Sequence, residues 1–369
     1  MSAQGHIVGG EPQCLTLLDA IASPFEIVSP ADVPHLQPHH HGFKAYTRGC
    51  LYDDHGVRVD LSLRLGGAGG DQSMAIDPPL LPSEQRGGTW LPGRTLYLGP
   101  FMNHYGHFIT ESLSRYWREE ATAFDHFVAY PFMHDHGEIR MREFHRYLAG
   151  LLDVPIDRMA ILRSQTVFDE IVVPEQLWTY NVHVNARMRD IYERIRTRHS
   201  GQRSSGRLFL SRAASLRLGN APQVEEIFAS FGFRVLYPEQ IKIADQLSLY
   251  ANCAILAGLS GSGMHNCLFA RPGLMTIEVG DARARRHPVM MQRIANELAQ
   301  VDARFVAFGE GNDIRISPNK VRRQLIEILG ERPRLGPVVA LRLKRTIRRL
   351  ADRKAPKRRG GQADLRGGS

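Results

Sequence analysis

Strands and helices alternate regularly through the second half of this chain, and that alternation limits its fold more than any other feature. Short apolar strands are predicted at 207–211, 233–236, 254–257 and 274–279, and a helical segment follows each of them. Because parallel strands need long crossover connections, usually helices, the pattern predicts a parallel, doubly wound α/β sheet. Ligands of such sheets bind at the carboxyl ends of the strands. The turns that follow these strands are therefore the first places to examine for a site.

The domain organisation follows from length and from one polar segment. A chain of 369 residues is too long for one ordinary domain, and the glycine- and serine-rich stretch 200–206 is typical of a linker. We therefore expect an N-terminal domain over 1–199 and a C-terminal domain over 207–330. Residues 331–369 form a separate basic tail.

Basic charge is concentrated in that tail. It carries 13 Lys and Arg against 3 acidic residues, a net +10, whereas the whole chain has a net charge of +9. The body is nearly neutral, so the charge does not predict a nucleic-acid partner. In the tail Val339, Leu343, Ile347 and Leu350 share one helical face among arginines, which is typical of helices that lie on anionic membranes. A stripe that packs on the protein's own body would have the same spacing.

The predicted cellular compartment follows from the hydropathy of the chain, from its N-terminal residues and from its cysteines. No window approaches the roughly 18 apolar residues of a membrane-spanning helix, and no secretory signal is visible at the N-terminus. The four cysteines are widely separated, which favours small buried side chains in a reducing compartment. We expect a cytoplasmic protein, held at the inner face of the cytoplasmic membrane if the tail binds there.

A glycine-rich turn, Gly258-Leu-Ser-Gly-Ser-Gly-Met-His-Asn266, lies between the third predicted strand and the next helix. Glycines let a backbone turn tightly and approach a ligand, and the first amides of a helix favour an anion. The turn therefore predicts a phosphate or diphosphate site, for which the candidate residues are Gly261, Ser262, Gly263, His265 and Asn266. A tight turn that needs glycine only for its backbone conformation would show the same pattern.

Side chains at two other strand ends extend this candidate site. Ser211 and Arg212 end the first strand after the linker, and arginine binds phosphate oxygens in a bidentate way. Glu278 ends the strand after the turn, 20 residues beyond Gly258, where an acid accepts hydrogen bonds from ribose hydroxyls. The glycine-rich turn and Glu278 together favour a nucleotide as the ligand of this site. An NAD(P)-dependent oxidoreductase is an alternative, although the glycine order G-x-x-G-x-G differs from the dinucleotide pattern.

The segment Asn103-His-Tyr-Gly-His-Phe-Ile-Thr-Glu111 carries the candidate catalytic groups. His107 and Glu111 are four residues apart and share a helix face, and a carboxylate beside an imidazole is suited to general base catalysis. A capped helix with a polar face is the structural alternative. His104 with these two residues, or the histidines at 35 and 39–41, would be alternative metal ligands. No further cluster with ligand spacing supports either, so no metal is predicted.

In their order and spacing these motifs resemble glycosyltransferase family 61, found among capsular and exopolysaccharide biosynthesis proteins. The resemblance covers roughly residues 95 to 300. It rests on Asn103–Arg115, on Leu208-Phe-Leu-Ser-Arg212, and on the run from Phe231 to Val279 that contains the glycine turn. The family pattern usually has a histidine two residues after the first glycine of this turn, whereas this chain has Ser260 there and a histidine at 265.

The resemblance implies two Rossmann-like domains facing a cleft, called GT-B, and an inverting, metal-independent transfer. The nucleotide sugar would be a substrate rather than a cofactor, and the acceptor a glycan or a lipid-linked sugar. The C-terminal domain would hold the donor through Ser211, Arg212, the turn and Glu278. Glu111 is the first candidate for the base, with His107 as the second or as its partner. A non-catalytic, degenerate transferase is the remaining alternative, because Ser260 replaces the family histidine.

Overall fold

A computed structural model of the chain describes residues 5–29, 46–66, 80, 87–117, 123–132, 138–202, 206–212, 218–308, 315–334, 336–343 and 345. Within these ranges no helix is both long and apolar enough to cross a membrane. Several sequence-based predictions lie outside them: the histidines at 35 and 39–41, linker residues 203–205, and the tail residues Ile347 and Leu350.

Before residue 200 the described chain contains twelve strands and three α-helices. The strands are β1 (Ile7–Val8), β2 (Cys14–Leu18), β3 (Ile21–Ala22), β4 (Glu26–Val28), β5 (Tyr46–Arg48), β6 (Leu51–Tyr52), β7 (Thr89–Pro100), β8 (His126–Tyr130), β9 (Met159–Ile161), β10 (Thr166–Pro174), β11 (Trp178–Thr179) and β12 (His183–Asn185). The helices are α1 (Tyr105–His107), α2 (Glu143–Gly150) and α3 (Met188–Thr197). Short 3-10 helices occur at Asp60–Ser62, Leu113–Arg115 and Ile156–Arg158.

The largest N-terminal sheet is mixed, with the order β6-β3-β10-β7-β8-β9. Its central part, β10-β7-β8-β9, is parallel, whereas β2 and β3 pair with β10 in the antiparallel sense. β7 is buried from Leu96 to Leu98, as expected for an apolar central strand covered on both faces. It ends at Pro100, directly before the candidate catalytic segment, so the sheet fixes where that segment begins.

The C-terminal part is a regular α/β unit. Its strands are β13 (Arg207–Leu210), β14 (Phe233–Leu236), β15 (Ile255–Leu259), β16 (Met275–Val279) and β17 (Asp302–Val306). Its helices are α4 (Ala221–Ser230), α5 (Ile243–Asn252), α6 (Met290–Leu298) and α7 (Pro318–Leu329), with 3-10 helices at Pro238–Gln240 and Met264–Phe269. The sequence pattern predicted this alternation but missed β17 and α7.

All neighbours in the C-terminal sheet are parallel, in the order β14-β13-β15-β16-β17. The chain therefore moves outward in one direction from β13 to β14 and in the other from β15 onward. Such a reversal leaves a crevice between the carboxyl ends of the two central strands, where ligands of doubly wound sheets bind. In this chain the crevice lies between Leu210 and Leu259, the last residues of β13 and β15.

One cluster of buried apolar side chains is shared by the two parts of the chain. It includes Trp178 on β11 and Tyr192 on α3, and also Phe269 and Leu256, the latter on β15. The rings of Tyr192 and Phe269 meet edge to face, with centroids 5.6 Å apart. This contact packs α3 of the N-terminal part against the 3-10 helix Met264–Phe269, which follows the glycine-rich turn of the C-terminal part.

Candidate active site

Two adjoining cavities lie where the N-terminal segment meets the C-terminal sheet. The larger has a volume of about 550 Å³ and is lined by Tyr105 and Phe144 on one side and by Ser211 and Gly263 on the other. The smaller, of about 260 Å³, is lined by His107, Tyr180, Gly261 and Arg283, among others. His104, Arg212 and Ser262 line both cavities, so the two form one continuous cleft.

The glycine turn forms the C-terminal wall of this cleft and depends on its glycines. Gly261 has a φ of 137°, which side chains rarely tolerate. A Cβ on Gly258 would lie 2.8 Å from the carbonyl oxygen of Leu210, because β13 and β15 run side by side there. The predicted helix after the turn is a 3-10 helix of six residues, Met264–Phe269. Its dipole is therefore small, and positive charge at the turn comes mainly from side chains.

Two arginines supply that charge. A Cβ placed on Gly261 would lie 3.7 Å from Nη1 of Arg212 and 3.9 Å from Nη2 of Arg283, so both guanidinium groups border the turn. Arg283 was not predicted from the sequence. It follows β16, and its loop is held by Asp281, which accepts hydrogen bonds from the amides of Arg283 (2.8 Å) and Ala284 (3.0 Å). Paired arginines at a glycine turn suit a diphosphate.

Ser211 borders the larger cavity, but its hydroxyl points away from a ligand. The hydroxyl donates a hydrogen bond of 2.5 Å to Oε1 of Glu225, a buried carboxylate on α4. Ser211 therefore anchors the end of β13 next to Arg212 and is not itself placed to bind the donor through its hydroxyl. Ser262 and Gly263, predicted in the same site, do line the cleft.

Glu278 lies behind the turn. It is buried, and its Oε1 accepts a hydrogen bond of 2.5 Å from the hydroxyl of Ser260, the residue that stands where the family pattern has histidine. Burial and, to a lesser extent, the nearby Asp281 raise the pKa of Glu278 to about 7. Glu278 is not among the residues that line the two cavities. The ribose contact predicted for it has no support in this geometry and stays a prediction.

His265 and Asn266 connect the turn to its surroundings. Nδ1 of His265 lies 2.7 Å from Oε1 of Gln292, and burial lowers the pKa of His265 to about 4, so its ring is neutral near pH 7. Asn266 accepts a hydrogen bond of 2.5 Å from the hydroxyl of Tyr105, across the cleft. A Cβ on Gly106 would lie only 2.8 Å from Cβ of Ser262. The two halves of the site are thus in direct contact at Tyr105 and Gly106.

His107 and the buried Glu111 form a hydrogen-bonded pair. Nδ1 of His107 lies 2.5 Å from Oε1 of Glu111, as the four-residue spacing predicted. The other carboxylate oxygen accepts a hydrogen bond of 2.6 Å from Nε of Arg64. Arg64, which the sequence did not indicate, also lies 4.9 Å from the ring centre of Tyr180. Glu111 sits in a π-helical turn, Phe108–Ser112, a feature often found at functional sites.

The electrostatics assign different properties to the two residues. Burial opposes ionisation of Glu111, but Arg64 and His107 outweigh it and lower the pKa of Glu111 to about 2. The side chain of Glu111 is 2% exposed, whereas that of His107 is 26% exposed and lines the smaller cavity. An ionised Glu111 favours a proton on Nδ1 of His107 and leaves Nε2 as the acceptor. The imidazole, rather than the carboxylate, can reach a ligand.

The alternative metal set does not assemble. The ring of His104 lies 5.5 Å from that of His107, while His107 is bonded to Glu111. In the part of the chain that the structure describes, no group of three or more histidine, cysteine or acidic side chains is arranged to hold a metal ion.

Comparison with models of known protein families gives a match. The family model described as Glycosyltransferase 61 matches residues 105–277, a range that begins inside the candidate catalytic segment and ends in β16. A search of the curated proteins found no match. The matched range contains His107, Glu111, Arg212 and the glycine turn, on which the sequence-based resemblance was founded. The match confirms that resemblance: residues 105–277 of this chain are similar to glycosyltransferase family 61.

Proposed function

We propose that the protein is an inverting glycosyltransferase that moves a sugar from a nucleotide-sugar donor to a glycan or lipid-linked acceptor, in capsular or exopolysaccharide biosynthesis. One observation carries the proposal. The cavity that contains Arg212 and Arg283 beside the glycine turn also contains His107, which Glu111 holds by a hydrogen bond. An anion-binding wall and a general base thus face each other within one cleft.

The C-terminal part, 207–330, would hold the donor, as doubly wound sheets hold ligands at their switch point. The diphosphate would lie against Gly261, between Arg212 and Arg283. When the bond between the anomeric carbon and the phosphate oxygen breaks, negative charge grows on the leaving diphosphate. The two guanidinium groups beside the turn would stabilise that charge more than they stabilise the intact donor. In other transferases a divalent cation stabilises the charge of the leaving diphosphate. Because the two arginines would do so here, we expect full activity in excess EDTA.

The N-terminal part, 1–199, would present the acceptor, in the manner of a GT-B enzyme. The acceptor oxygen attacks the anomeric carbon while Nε2 of His107 accepts the hydroxyl proton. Glu111 stabilises the imidazolium that forms and keeps the ring oriented, and Arg64 holds Glu111 in place. These roles reverse the order predicted from the sequence, in which Glu111 was the first candidate for the base.

Replacing Arg212 and Arg283 with alanine tests the donor site. Each single variant should bind UDP or GDP about 10- to 100-fold more weakly, because it loses a charge-assisted hydrogen bond worth roughly 1.5–3 kcal/mol. Calorimetry measures the affinity. Arg304→Ala is a matched control, since Arg304 pairs with Asp302 on the sheet's exposed edge. Unchanged affinity in both single variants would remove the two arginines from the donor site.

We also propose that the tail holds the enzyme on an anionic membrane, reversibly. Residues 336–343 are helical, and Val339 and Leu343 are 66% and 60% exposed, so this part of the apolar stripe does not pack on the body. In co-sedimentation at low salt, the wild type should pellet with anionic vesicles and remain in solution with zwitterionic ones. A Val339→Glu, Leu343→Glu variant should pellet with neither. Equal pelleting of this variant and the wild type would contradict the proposal.

A further inference from the structure

A buried carboxylate lies directly behind the donor site. Glu225, on α4, is 3% exposed. It accepts hydrogen bonds from the hydroxyls of Ser211 (2.5 Å) and Tyr237 (2.7 Å) and forms an ion pair with Arg345. Three segments far apart in sequence therefore meet on one carboxylate: the end of β13, the end of β14 and the C-terminal tail.

Arg345 is the group that compensates this charge. An ionised carboxylate removed from water is costly unless a cation accompanies it. The side chain of Arg345 is only 19% exposed, and it also donates hydrogen bonds to Glu226 (3.1 Å) and to the carbonyl oxygen of Pro222 (3.2 Å). On the helical pattern Arg345 lies nearly opposite Leu343, so the arginine faces the body while the apolar residue faces outward.

The hydrogen bond from Ser211 to Glu225 fixes the end of β13, next to Arg212. Ser211 is the residue before Arg212, and both border the larger cavity. If Arg345 were removed, the negative charge of Glu225 would lose its arginine counter-charge. That charge would then lie behind Ser211, a residue of the cavity wall to which Glu225 is hydrogen-bonded. It would repel an anionic ligand and compete for the guanidinium of Arg212.

We propose that Arg345 is a positioning residue for the donor site. Through Glu225 and Ser211 it keeps the end of β13 neutral and in place, so that Arg212 is available to the diphosphate. The C-terminal tail is then a structural part of the donor site, besides any contact it makes with a membrane. This inference rests on the proposed function, since it concerns the same nucleotide-sugar site.

The experiment compares variants of the full chain by calorimetry, with UDP, GDP, CDP, ADP and dTDP as probes. Arg345→Gln should weaken the binding of the preferred nucleotide about tenfold or more. Glu225→Gln combined with Arg345→Gln should restore most of the affinity, because the charge that needed compensation is gone. Arg342→Gln is the matched control: Arg342 lies on the same helix, is 67% exposed and pairs with Glu226. It should stay within about twofold of the wild type.

The outcomes separate this inference from the proposed function. If the wild type binds a nucleotide and Arg345→Gln binds it equally well, the positioning role is wrong and the proposed function stands. Weakened binding that Glu225→Gln does not restore would also overturn the inference, since a general loss of folding would produce it. A wild type that binds none of the five probes overturns the proposed function itself, and the inference with it.

Discussion

Alanine in place of His107 is expected to slow glycosyl transfer by about 10²- to 10⁴-fold, the usual contribution of a general base. The variant removes the imidazole that lines the smaller cavity and is hydrogen-bonded to Glu111, which Arg64 holds in turn. The arginines and the glycine turn are untouched, so affinity for the nucleoside diphosphate should stay within about twofold. Turnover at saturating donor, with calorimetry on the same sample, measures both quantities.

The pH dependence tells His107 and Glu111 apart as bases. A base acts only when deprotonated, so the rate falls as the pH drops through the pKa of that base. With a pKa of about 2, Glu111 would stay active down to about pH 3. A rate that already falls well above pH 3 would exclude Glu111 as the base and leave His107 as the candidate. A rate that is constant from pH 8 to pH 4, with His107→Ala still active, would contradict our assignment.

Arg115→Ala is expected to give the largest loss of stability, about 3–5 kcal/mol in the free energy of unfolding. Arg115 is 1% exposed. Its guanidinium donates hydrogen bonds to the carbonyl oxygens of Leu61 (2.9 Å), Leu63 (2.8 Å) and Pro174 (2.5 Å). Burial lowers its pKa to about 10, so it is still charged at neutral pH. Alanine would leave three carbonyl groups without this donor, those of Leu63 and Pro174 in buried surroundings, and would open a cavity beside Gly99.

Urea unfolding of Arg115→Ala measures this loss. Arg146→Ala is the control, because the ion pair of Arg146 with Asp157 is about half exposed and should be worth less than about 1 kcal/mol. Equal stability of the two variants would show that Arg115 does not hold the 3-10 helix Leu113–Arg115 to β10 and to the chain at 61–63.

The sequence predicted the parts of the site that depend on local pattern. Alternating strands and helices located Arg212 and the glycine turn at strand ends, and the four-residue spacing predicted the contact of His107 with Glu111. The switch point could not be predicted in the same way, because it depends on β14 and β15 lying on opposite sides of β13. That arrangement is a property of strand pairing rather than of any one segment.

The site residues that the sequence did not predict contact groups that are distant from them in the chain. Arg64 reaches Glu111 from 47 positions earlier in the chain, out of a segment with no helical or strand periodicity. Arg283 stands in a run with Arg285 and Arg286, and only the turn of the loop after β16 shows which of the three borders Gly261. The order of the two catalytic candidates was also beyond the sequence, because periodicity places both on one face without showing which one Arg64 buries.

The site in the cleft is tested most directly by following a panel of nucleotide sugars with ³¹P NMR, in excess EDTA, for the wild type and for His107→Ala. We expect the wild type to bind one nucleotide sugar and convert it to the nucleoside diphosphate, slowly without an acceptor. His107→Ala should bind the same compound and leave it intact. Conversion at the wild-type rate by His107→Ala, or no binding of any nucleotide sugar by the wild type, would contradict the account.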